Sequence, residues 1–157
     1  MSTKNIISNS SVQTKRIAAK FARQILQQKP GLEAVVLALH GELGSGKTTF
    51  LQGFAKGFGI KEKVLSPTFI LMKKFQIRNS EFLHFYHIDC YRLKNEEGLI
   101  QLGLKEVISN PYNIVAIEWP EKISKILPKS ILKIKFSYIA KNQRGLTIDA
   151  NKINVIE

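Results

Sequence analysis

The residues 41–48, Gly41-Glu42-Leu43-Gly44-Ser45-Gly46-Lys47-Thr48, match the pattern G-x-x-x-x-G-K-[ST] in full. Each fixed position has a chemical reason. Glycines let the backbone bend until successive N–H groups point inward around a phosphate. Lys47 sets an ammonium against the β and γ phosphates, and the Thr48 hydroxyl is placed to ligate Mg²⁺. The pattern predicts a nucleoside triphosphate site. Such a site also needs a carboxylate near the metal, at the C-terminal end of a strand. Asp89 and Glu118 each close an apolar, strand-like run and are the two candidates. Spacing does not decide which of them ligates the metal, directly or through water. His87 is either a general base or a satisfied core histidine, and its place inside a strand favours the core. His40 and His84 have no stronger claim, and Cys90 reads as a buried thiol. Trp119 either packs or covers a nucleotide or partner. Tyr91-Arg92 either helps set phosphate geometry, or Arg92 lies on the surface.

These groups need elements to hold them. Val35-Val36-Leu37-Ala38-Leu39 is a short continuous apolar run before the glycine-rich turn, which suits a strand buried on both faces. From Thr48 the apolar residues Phe50, Leu51, Phe54, Ala55 and Phe58 recur at helical spacing until Gly59 stops the helix. A phosphate loop that joins such a strand to the N-terminus of such a helix is in its expected context, because unpaired N–H groups and the helix dipole favour an anion there. Upstream, Ser11 is placed to cap a helix with the face Ile17, Ala18, Phe21, Ala22, Ile25 and Leu26, ended by Pro30-Gly31. Downstream, Ser66-Pro67-Thr68-Phe69 is a loop signal, and residues 70–77, 82–88 and 114–117 read as strands. Residues 95–109 read as a helix despite Gly98 and Gly103, and residues 122–127 as a short helix closed by Pro128. Finally Leu132, Ile134, Phe136 and Tyr138, then Leu146 and Ile148, alternate with polar residues around a turn, the pattern of a hairpin with one buried face. The order predicts a three-layer α/β P-loop fold with a mixed, mostly parallel sheet and a C-terminal antiparallel hairpin.

Composition sets the outer bounds. The 157 residues are 44% apolar, which fits one domain spanning residues 1–157. No run of eighteen apolar residues exists, so no membrane-spanning helix is expected. The first eleven residues lack the apolar stretch of a secretory signal. A single cysteine excludes an internal disulfide and fits a reducing cytoplasm. Lys and Arg number 24 against 12 acidic residues, a net charge of +12. That excess favours polyanionic partners, yet the basic residues are scattered and form no recognisable RNA-binding signature. The Asn-Lys-x-Asp and Asp-x-x-Gly segments of guanine-specific GTPases are missing, so ATP is expected rather than GTP.

Four segments in order strengthen the reading: residues 41–50 around the phosphate loop, Ser66-Pro67-Thr68-Phe69, His87-Ile88-Asp89-Cys90-Tyr91-Arg92-Leu93, and Glu118-Trp119-Pro120-Glu121. Together they closely resemble the TsaE family, the small ATPase of bacterial tRNA threonylcarbamoyladenosine biosynthesis, over nearly the whole chain. The resemblance implies slow ATP hydrolysis in company with TsaB and TsaD, with tRNA met through that complex, in the cytoplasm. It implies that Leu43, Gly44, Ser45, Gly46, Lys47 and Thr48 hold ATP, and that Thr48 and Glu118 ligate Mg²⁺. Asp89 sits beside the γ-phosphate on this reading, and Thr68 lies in a loop that senses it. Trp119, Pro120 and Glu121 border the nucleotide or the TsaD surface, and further nucleotide contacts fall around Ser10 and Asn142. Lys47, Asp89 and Glu118 are thus the expected catalytic set. Ser45 stands where the family commonly has alanine, and Ser10 where an acidic residue can occur. Two other readings fit the phosphate loop: a nucleotide-gated binding module whose hydrolysis is not essential, and a small-molecule kinase, although no Arg-rich lid is evident.

Overall fold

The computed structural model describes residues 3–65 and 71–149. Seven strands form one sheet in the order β1-β7-β6-β2-β5-β4-β3. They are β1 (Thr3–Ser8), β2 (Val35–His40), β3 (Met72–Gln76), β4 (His84–Asp89), β5 (Asn113–Glu118), β6 (Ile131–Ala140) and β7 (Gln143–Asp149). The central strands β6, β2, β5 and β4 run parallel. The outer pairs β1–β7, β7–β6 and β3–β4 are antiparallel. This is the expected mixed sheet with a C-terminal hairpin. Buried parallel strands cannot alternate polar and apolar residues, and β5 (Asn113–Glu118) is accordingly buried along its whole length.

Helices α1 (Ser11–Leu26) and α2 (Lys47–Gly57) cover one face. The short helices α3 (Glu97–Gln101) and α4 (Leu104–Ser109), with the 3-10 segment Pro120–Ile126, lie on the other. Each face has its own apolar cluster, so the molecule has three layers. Among the described residues no helix is long and apolar enough to cross a membrane.

An aromatic cluster fixes α2 against the sheet. Phe50 meets Phe136 of β6 with ring centroids 5.4 Å apart, and Phe54 meets Phe85 of β4 at 5.5 Å, both near edge-on. Phe21 of α1 touches both α2 rings. Each ring buried contributes about 1.5–3 kcal/mol. Helix α1 lies so close to α2 that a Cβ on Gly53 would strike the backbone of Lys15, and one on Gly57 would strike that of Ala19. The helix that carries the phosphate loop is thereby held from two sides.

Several local expectations change. The α1 cap is Ser10, one residue before Ser11: its Oγ accepts the Gln13 N–H at 3.0 Å. The helix ends at Leu26, short of Pro30-Gly31. Residues 95–109 are two helices rather than one, because Gly103 takes a left-handed φ of +89° that breaks the helical path. The segment expected to be helical over 122–127 is 3-10 and starts earlier, at Pro120, whose fixed φ suits a first helical position. Strand β1 carries no local signal, since its pairing partner β7 lies some 140 residues away in sequence and only Ile6 and Ile7 are apolar. The Ser66-Pro67-Thr68-Phe69 loop, the sensing role expected of Thr68 and the start of the strand expected at 70–77 lie outside the described residues.

Candidate nucleotide site

Three parallel strand ends converge. Leu39 of β2, Glu118 of β5 and Asp89 of β4 are register partners in one row across the sheet. The residues two and four positions earlier, His87 and Phe85 on β4 and Ala116 and Ile114 on β5, share that side with α1 and α2. Asp89 and Glu118 therefore project to the side on which residues 41–48 turn from β2 into α2.

The loop is built from backbone conformations that side-chain-bearing residues avoid. Gly44 and Gly46 have φ of +77° and +106°. Gly46 is the N-cap of α2, no side chain caps that helix, and its first turn holds no acidic residue. The first N–H groups of α2 are thus left to an anion rather than to the protein's own carboxylates. Behind the loop, a Cβ on Gly41 would lie 2.6 Å from Ser45 Oγ, so this buried serine packs under the loop rather than over it.

Lys47 is buried, with 5% of its surface exposed, and donates to the carbonyl oxygens of Gly41 and of Glu42, the latter at 3.1 Å. Burial pulls its pKa below the ordinary 10.5, against the opposing attraction of Glu118, Asp89, Glu121 and Glu42. Its ammonium also stands 4.5 Å from the centre of the Trp119 ring, on which Tyr91 packs from 5.1 Å. Trp119 adopts a left-handed φ of +56°. A non-glycine residue in that region costs on the order of 1–3 kcal/mol, and such strain concentrates at functional sites. Burial raises the Asp89 carboxyl above its ordinary 3.8; the Tyr91 N–H donated to it at 3.0 Å opposes this, and the charge of Glu118 adds to it. Burial drives the neighbouring Cys90 thiol up to about 12, so it is no nucleophile at neutral pH.

A cavity of about 310 Å³ opens over the loop. The expected residues Leu43, Gly44, Ser45, Gly46, Lys47 and Thr48 line one side, and Asp89, Glu118 and Trp119 another. Ser10 and Asn142 line it as well. Pro120 and Glu121 do not line it. Pro120 is buried beneath, and Glu121 Oε1 lies 2.7 Å from His40 Nδ1. Tyr91 lines the cavity too, and so do Thr14, Lys141 and Arg144, which were not expected there. Arg144 ties the hairpin to the loop: its Nε donates to Gly44 O at 3.1 Å, its Nη1 donates to Ala140 O at 2.8 Å, and its guanidinium stacks 4.5 Å from the Tyr138 ring. Gln143 Nε2 donates to Asn9 Oδ1 at 2.9 Å and joins the same turn to the approach of α1. The signal for Arg144 was a cation just after a polar turn, but nothing local shows that this turn reaches a loop a hundred residues earlier.

Among the described residues, no cluster of three or more His, Cys, Asp or Glu could hold a metal by itself. Mg²⁺ fits such a donor set, since it keeps waters and phosphate oxygens and takes only one or two protein carboxylates. The charge of Glu118, which helps hold the Asp89 proton, is what a cation between them would offset.

The family model of the threonylcarbamoyl adenosine biosynthesis protein TsaE matches residues 8–146 of the chain. Similar proteins include the tRNA threonylcarbamoyladenosine biosynthesis protein TsaE of Bacillus subtilis, 39% identical over 78% of this chain and 72% of that protein. The protein of the same name from Treponema pallidum is 35% identical over 74% of this chain and 82% of its own length. That of Rickettsia felis is 32% identical over 93% of this chain and 80% of its own. The crystal structure of Bacillus subtilis YdiB superposes with a TM-score of 0.69 at 28% identity, covering 94% of this chain and 84% of that one.

Proposed function

The chain belongs to the TsaE family, and from that premise we propose that it is the Mg²⁺-dependent ATP-binding and hydrolysing component of tRNA N6-threonylcarbamoyladenosine synthesis. The observation that carries this reading is the meeting, in one cavity, of an uncapped α2 N-terminus, buried Lys47 and the paired carboxylates Asp89 and Glu118. The partners TsaB and TsaD, tRNA reached through them, and a cytoplasmic location rest on the family resemblance.

The triphosphate seats its β and γ groups on the N–H groups of residues 44–48. Lys47 then exchanges the carbonyls of Gly41 and Glu42 for phosphate oxygens, a charge-assisted bond that repays its burial. Thr48 and Glu118 would hold Mg²⁺, which would supply charge neutralisation to the phosphates. Asp89, held by the Tyr91 N–H, orders water on the γ side. Trp119 shields Lys47 from solvent, and the hairpin turn with Lys141 and Asn142 faces the nucleoside end with Ser10.

Cells depleted of their own TsaE provide the test, with the modified nucleoside in bulk tRNA read by mass spectrometry. The wild-type chain is expected to restore threonylcarbamoyladenosine, and Lys47→Ala and Glu118→Ala are not. Restoration by a variant that binds ATP without turning it over would move the assignment to a nucleotide-gated binding module. Phosphate transfer to a metabolite by the isolated chain would move it to a kinase.

A further inference from the structure

His87 lies one turn of the pleat before Asp89 on β4, and its register partner on β5 is Ala116. Glu118 stands two residues further along β5, on the same side of the sheet. The small Ala116 side chain leaves the His87 ring room to reach diagonally along the face. It does so: Nε2 of His87 lies 2.8 Å from Oε2 of Glu118. Both residues are buried, with 1% and 3% of their surface exposed. An ionised carboxylate only accepts hydrogen bonds, so the ring N–H donates. With Oε2 held in this way, Oε1 is the oxygen left to turn toward the cavity that Glu118 lines.

We propose that His87 is a positioning residue that fixes the Glu118 carboxylate for a divalent cation. The proposal rests on the MgATP reading of the site. Mg²⁺ demands near-ideal octahedral geometry and tolerates a misdirected ligand poorly. A long glutamate side chain has several rotamers, and a buried donor that selects one spares the cost of ordering it when the metal arrives. His87 touches neither phosphate nor metal on this account and acts through Glu118 alone. A histidine that merely fills the core would show no such dependence on Glu118.

Mn²⁺ is the probe, read from the electron paramagnetic resonance signal of the free aquo ion, in the presence of a saturating non-hydrolysable ATP analogue. His87→Leu, which removes the donor, and His87→Asn, whose amide is too short to reach, should weaken Mn²⁺ binding about 10- to 100-fold, the usual effect of losing an outer hydrogen-bond partner. His87→Gln places an amide N–H near the position of Nε2 and should stay within roughly threefold of the wild type. In a Glu118→Ala background the His87 substitutions should have no further effect on Mn²⁺. Affinity for the analogue in EDTA should stay unchanged across the His87 variants. Should His87→Leu fail to fold, the contrast between Asn and Gln decides alone. Equal Mn²⁺ affinity across the set, or a further loss in the Glu118→Ala background, would overturn the role of His87 and leave the nucleotide site standing. No Mn²⁺ binding by the wild-type chain with the analogue would overturn the MgATP reading and this proposal together.

Discussion

Asp89 and Glu118 face each other in register at the ends of neighbouring parallel strands, and both open onto the cavity above the phosphate loop. The buried Glu118 and the half-buried Asp89 so placed repel as charges, which is one cause of the raised Asp89 pKa. The pair is a poor arrangement for stability alone and a good one for a cation. Glu118→Gln should therefore weaken Mg²⁺ binding in the presence of nucleotide by at least roughly tenfold, while ATP binding in EDTA persists. Calorimetry with and without Mg²⁺ checks this. An unchanged Mg²⁺ affinity would remove Glu118 from the metal site.

Lys47→Ala removes a charge-assisted contact of about 1.5–3 kcal/mol, or roughly 10- to 150-fold in ATP affinity. The pH dependence has a definite sign. The folded chain holds the Lys47 proton less tightly than the unfolded chain, whose lysine keeps the ordinary 10.5. Between the lowered value and 10.5 the unfolded state binds more protons, so the Lys47 contribution to folding stability improves as pH rises. ATP affinity moves the opposite way over the same interval, because the neutral amine no longer attracts phosphate. Wild-type affinity should begin to fall at a pH below 10.5, and the Lys47→Ala profile should be flat there. Parallel profiles for the two proteins would contradict this.

Helix packing gives a stability prediction. Gly53→Ala forces a methyl into the Lys15 backbone of α1 and should destabilise by about 1–3 kcal/mol through overpacking. Gly31→Ala, where an added Cβ meets nothing within 4 Å, serves as the control. Urea midpoints at constant slope report both. Equal midpoints would mean that α1 does not rest on α2 as described.

Arg144 joins the hairpin to the loop through its forked guanidinium, so Arg144→Lys should not preserve its role despite keeping the charge. ATP affinity should fall several-fold in Arg144→Lys and Arg144→Ala alike, by the roughly 0.5–1.5 kcal/mol typical of a lost hydrogen bond. Full affinity in the lysine variant would show that charge alone matters at this position.

What the sequence made legible was local chemistry. Residues 41–48 declare their role because glycine positions, lysine and the start of the following helix are contiguous in the chain. Asp89 and Glu118 were readable singly, as carboxylates at strand ends, but their adjacency is a property of the β4–β5 register. His87 shows the same limit. Its burial in a strand was readable, whereas its bond to Glu118, thirty-one residues later, was not. Strand β1 and Arg144 depend on pairings across more of the chain still. The break at Gly103 was missed because isolated glycines inside a helical pattern are often tolerated, and only the positive φ distinguishes this one.

ATP hydrolysis by the purified chain, alone and with its matching TsaB and TsaD, tests the central claim most directly. Slow turnover alone, strong stimulation by the pair and loss of both in Lys47→Ala is the predicted result. Clear MgATP binding with no stimulation by TsaB and TsaD would contradict it.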